Sequence, residues 1–136
     1  MEQIEIVVHK QALRQEAIAA RDALADRAQR SAQICGRVVA LDAFVAAGAI
    51  HCFLPIGAEV DTRPIVAAAL AAGKAVAYPV TVRGGPLVHS WIDSLTPEAF
   101  EPGVFGTLRP RVMRPATPGE GQLTVVPLLA FDRAGY

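Results

Sequence analysis

A chain of 136 residues with 13 Lys plus Arg against 13 Asp plus Glu carries no net charge, so no overall field recruits nucleic acid, and 52% hydrophobic residues exclude disorder. The length fits one domain, residues 1–136, large enough to bury a real core. Charge, glycine or proline breaks each apolar stretch well before the roughly 18 residues of a membrane span, and no cationic start or cleavage site marks a signal peptide. The two cysteines, Cys35 and Cys52, lie in apolar segments and read as buried free thiols of a cytoplasmic protein.

Residues 1–8 alternate Ile4, Ile6 and Val8 with polar neighbours, which fits an edge strand or a leader. From His9 to about Arg27 the period becomes helical, with Leu13, Ala17, Ala20 and Leu24 on one side and Lys10 and Arg14 one turn apart. A second helix is expected after Ser31 as its cap, with Ile34, Val38 and Leu41 as its stripe, and residues 42–47 form a short helix ended by Gly48.

Residues 50–54 are an uncharged run suited to a covered strand, and residues 75–78 repeat the pattern. Between them Asp61 or Thr62 can cap a helix whose first turn holds Pro64. Ile65, Ala69 and Ala72 form its stripe, and Gly73 ends it. This is a βαβ unit. Ligands of such units gather beyond the carboxyl ends of the strands, so the turn at residues 55–61 is the first place to look for chemistry. Arg83-Gly84-Gly85-Pro86 signals a turn, after which residues 87–91 fold back as a hairpin arm. Thr96-Pro97-Glu98 starts a one-turn helix, residues 103–121 read as a long functional loop, and residues 123–129 form a third strand that Pro127 must end.

His9, His51 and His89 fall at unrelated spacings with no ligand partners nearby in sequence, so no metal cluster is expected. There is no serine elbow, and no catalytic residue can be assigned. Glu59 has no evident structural task at the strand end and is a candidate ligand-facing carboxylate, while Phe105 and Trp91 could line a pocket or pack in the core.

Lys10-Gln11-Ala12-Leu13-Arg14, the block from Leu54 to Ile65 containing Glu59-Val60-Asp61-Thr62, Phe105-Gly106 before Pro110, and Val126-Pro127-Leu128-Leu129-Ala130-Phe131-Asp132 together resemble the 5-formyltetrahydrofolate cyclo-ligase family. The resemblance implies an ATP-dependent, Mg2+-requiring enzyme that closes 5-formyltetrahydrofolate to 5,10-methenyltetrahydrofolate, releasing ADP and phosphate. Phosphorylation of the formyl oxygen makes it a leaving group that the neighbouring amine can displace. It also implies ATP contacts at Lys10 and Arg14, and substrate contacts at Leu54, Glu59 and Phe105.

The implied fold is a Rossmann-like, mostly parallel α/β sheet with helices on both faces, similar to the sugar-phosphate isomerase and CoA-transferase group. A cytoplasmic monomer acting on a small molecule, without nucleic acid or membrane partners, is expected. The chain departs from the family at Arg109, where many relatives carry glutamate, and stops where a glycine-rich ATP-binding segment would begin. A C-terminally truncated chain of low or no turnover is therefore expected. The alternatives are a non-catalytic folate- or nucleotide-binding module, an incomplete subunit, or a sugar-phosphate-binding enzyme of similar fold.

Overall fold

The computed structural model describes residues 2–135. Helices α1 (Glu2–Asp22), α2 (Arg27–Val39) and α3 (Asp42–Ala46) come first. The unit β1 (Ala49–Cys52), α4 (Arg63–Ala71) and β2 (Ala75–Val80) follows, then β3 (Val88–Ile92). Short strands β4 (Phe100–Pro102), β5 (Leu108–Pro110) and β6 (Pro115–Ala116) lead to β7 (Gln122–Val125).

The main sheet has the order β6-β3-β2-β1-β7, and β4 and β5 make a separate ribbon. β1 pairs in parallel with both β2 and β7, while β3 and β6 add antiparallel strands at one edge. This is the expected mixed α/β architecture with parallel strands at its centre. The apolar runs become central strands because each must be covered, and the hairpin arm joins at the edge as its turn signal requires.

Register separates the faces. Ile50 stands beside Val76, which stands beside Ile92, and these three pack with Cys35 of α2, Phe44 of α3 and Ile65, Val66 and Ala69 of α4. The opposite face carries His51, Ala77 and Trp91. Lys74 ties the crossover to α3: its ammonium donates to the carbonyl oxygens of Val45 at 3.0 Å and Ala47 at 2.6 Å, groups a helix end leaves unpaired.

Three expectations are corrected. Residues 2–8 form no edge strand but the start of α1, and Met1 lies outside the described residues. Glu2 and Glu5 in the first turn face the positive end of the helix dipole, and neither edge strand of the sheet, β6 or β7, pairs with residues 2–8. Ser31 is not a cap. α2 begins a turn earlier, at Arg27, and Ser31 is buried inside it. Residues 103–121 are not a structureless loop, because β5, β6 and a 3-10 turn at Val104–Gly106 divide them. Among the described residues no helix is long and apolar enough to cross a membrane.

Candidate functional site

The turn after β1 is built from inside. Gly57 takes φ +57°, a left-handed geometry that costs an L side chain energy. Glu59 closes the turn by accepting the Ile56 amide hydrogen at 2.7 Å. The carboxylate therefore has a structural task that sequence reading missed, since a three-residue reach back to a backbone amide leaves no pattern of residue types.

Further on, the Thr62 hydroxyl does not cap α4 but donates to the Phe53 carbonyl oxygen. Asp61 takes the capping part, accepting the Arg63 amide hydrogen at 3.2 Å and the Arg63 guanidinium at 2.8 and 2.7 Å. Hydrogen bonds from that guanidinium hold the Asp61 carboxyl below its usual range.

α2 clamps this turn. The Asp61 amide donates to Ser31 Oγ at 3.0 Å, and the Cys35 thiol donates to the Asp61 carbonyl oxygen at 3.1 Å. Burial pushes the Cys35 thiol up and the Cys52 thiol up to about 12, so neither is a thiolate at neutral pH.

Between this turn, α2 and the segment after β7 lies a pocket of about 630 Å³. Phe53, Glu59 and Ile65 line one side, Val125 and Leu128 another, and Arg27 is among the arginines at its rim. It sits at the carboxyl ends of the parallel strands β1 and β7, where the fold places ligands. Its walls are mostly apolar with one carboxylate and a few cations, a composition suited to a small organic anion.

Of the candidate binding residues Lys10, Arg14, Leu54, Glu59 and Phe105, Glu59 alone lines this pocket. Leu54, next to the lining Phe53, is half-buried and packs on the core. Lys10 and Arg14 are exposed on α1, which has no buried residue, and they lie outside the lining. Phe105 is 70% exposed, with the Arg83 guanidinium 5.4 Å from its ring centre, and also lies outside the lining. It is the one non-glycine residue with positive φ, +56°, among those described. Arg109 stands opposite Glu101 in the β4–β5 ribbon at 3.6 Å, a cross-strand ion pair.

Sequence reading passed over the rim arginines Arg21, Arg27 and Arg30, whose only signal was clustering around the first interhelical turn. It also passed over a chain of polar groups on the opposite face: His51 Nδ1 lies 2.9 Å from His89 Nδ1, and His51 Nε2 lies 2.6 Å from Gln122 Oε1. Among the described residues no group of three or more His, Cys, Asp or Glu could hold a metal ion.

A parallel β-strand core flanked by an α-helical crossover, with a pocket at the strand ends, defines an α/β domain of the open-sheet kind. Residues 6–136 match the model of the 5-formyltetrahydrofolate cyclo-ligase family, and the chain belongs to that family. Its structure is similar to the NMR structure of 5,10-methenyltetrahydrofolate synthetase from Aquifex aeolicus, with a TM-score of 0.78 and 26% identity, over 93% of this chain. The chain spans 64% of the length of that protein. No curated protein matches it.

Proposed function

We propose that the chain serves the ATP-dependent cyclisation of 5-formyltetrahydrofolate to 5,10-methenyltetrahydrofolate, with ADP and phosphate as co-products. The observation that carries this is the Glu59-bearing pocket at the strand ends of a chain of this family. In this reading Glu59 accepts hydrogen bonds from the donor-rich pterin end of the folate. Leu54 backs the neighbouring wall through its contact with the core.

Phe105 offers a ring for stacking. Its exposure and left-handed backbone support that role, since strain of this kind is retained where surrounding structure imposes it. Lys10 and Arg14 supply positive charge to the ATP phosphates, supported by their one-turn spacing and by the lack of any ion pair for either among the described residues. ATP provides the phosphoryl group that turns the formyl oxygen into a leaving group. The described residues do not form a Mg2+ cage, so in this reading the metal enters with the nucleotide phosphates and takes few protein ligands. Cytoplasmic location, with two free buried thiols in its support, and action as a monomer belong to the same reading.

A second reading, a folate- or nucleotide-binding module without turnover, is favoured by one observation: Lys10 and Arg14 are not among the residues lining the pocket. Calorimetry with 5-formyltetrahydrofolate and a coupled ADP-release assay test both. Folate binding that weakens about tenfold in Glu59→Gln, the scale of one charge-assisted hydrogen bond, is expected, with ADP release that depends on the folate. Folate binding without folate-dependent ADP release selects the module. Absence of folate binding overturns the first reading, absence of both folate and ATP binding overturns both, and sugar-phosphate binding in their place selects the third alternative.

A further inference from the structure

Ser31 is 8% exposed, lies inside α2 and lines the pocket together with Ile34, Phe53 and Ile65. A serine in a helix interior is neutral to unfavourable there, because its hydroxyl competes for backbone groups, so its presence calls for a task. One task is evident. Ser31 Oγ accepts the Asp61 amide hydrogen at 3.0 Å and fastens the turn to α2.

That bond uses a lone pair only. An amide N–H can only donate, so the Ser31 hydrogen points elsewhere, and it meets no acceptor among the described residues. An unpaired donor at this depth is costly, and native structures keep few of them. The bond that Oγ accepts also polarises the O–H and makes it a stronger donor.

The pocket holds a complementary group. Glu59 stands two residues before Asp61, so no more than about 7 Å of chain separates it from the point where Ser31 is bonded. Glu59 Oε1 accepts the Ile56 amide hydrogen, while Oε2 accepts none from the described residues. The turn thus offers a ligand an acceptor, and α2 offers it a donor, in one pocket. A ring edge on which N–H groups adjoin a carbonyl oxygen satisfies both. The pterin of 5-formyltetrahydrofolate has such an edge: its 2-amino group and N3–H donate, and its 4-oxo group accepts.

We propose that Ser31 is a specificity-determining binding residue, its hydroxyl donating to the 4-oxo oxygen of the pterin while Glu59 accepts from the adjoining N–H groups. This rests on the reading of the chain as one that acts on 5-formyltetrahydrofolate. A 4-amino group in place of the oxygen brings hydrogens and no available lone pair. The Ser31 hydrogen then stays unpaired, and a site built to bond a carbonyl rejects such a ligand.

Calorimetry of the intact chain with 5-formyltetrahydrofolate and with its 4-amino analogue tests this. The wild type is expected to bind the oxo compound about tenfold more tightly, the scale of one hydrogen bond. Ser31→Ala also deprives the Asp61 amide of its acceptor, which loosens the turn for either compound, so the readout is the ratio of the two affinities. That ratio should fall to about one. Cys35→Ala removes the other bond from α2 to Asp61 and keeps the hydroxyl, so the tenfold ratio stays. The wild-type ratio needs no variant to fold. Equal affinities or a preference for the amino compound in the wild type, a ratio unchanged in Ser31→Ala, or one lost as fully in Cys35→Ala overturns the role of Ser31 and leaves the folate reading standing. A wild type that binds neither compound overturns the folate reading, and the role of Ser31 with it.

Discussion

The two faces of the central sheet are held by different physics. On one, Ile50, Val66 and Ala69 are 0% exposed and pack with residues from three helices, a contact set that tolerates no loss of volume. On the other, a histidine in the middle of a strand is kept from water by hydrogen bonds to His89 and Gln122. The first face is stabilised by area and is indifferent to pH. The second depends on each donor finding its acceptor, so it can respond to protons.

The comparison is most easily broken on the apolar face. Ile50→Ala should cost about 2–5 kcal/mol, seen as a lower urea midpoint, because the buried site cannot collapse around the deletion. Gln122→Ala on the polar face should cost about 1–3 kcal/mol by leaving the His51 Nε2 hydrogen without an acceptor. If Gln122→Ala costs as much as Ile50→Ala, the faces do not differ as described.

A smaller effect separates them by pH. Burial and His51 hold the His89 pKa below its unfolded value of about 6.5. Its contribution to stability is complete above that value and is lost as the pH falls toward the folded pKa. Urea titrations at pH 7.5 and 5.0 should show this loss in the wild type and not in His89→Asn, while Ile50→Ala shows the same pH dependence as the wild type. Smallest is Lys10→Ala on the exposed α1, expected within about 0.5 kcal/mol of wild type in thermal melts.

Much of the fold was legible in the sequence because its signals are local. The uncharged runs at residues 50–54 and 75–78, the Pro64 helix start and Gly73, with φ +74°, at the helix end all correspond to β1, α4 and β2. So does the arm after Gly84-Gly85, seen as antiparallel β3. The start of α1 was missed because alternating Ile4, Ile6 and Val8 mimic a strand when no tertiary partner is known. The site was half legible. The turn at residues 55–61, chosen from topology, carries Glu59 into the lining of the pocket, but Arg27 and Leu128 come from elements 25 or more residues away in either direction. The His51–His89 contact is likewise invisible to spacing, since it spans β2 and 38 residues.

The two unpaired thiols, Cys35 at 3% exposure and Cys52 at 1%, lie in the cluster behind the apolar face. Each is therefore a built-in clock. An alkylating reagent can reach Cys52 only when the packed layers part, so its labelling rate times the opening of the core.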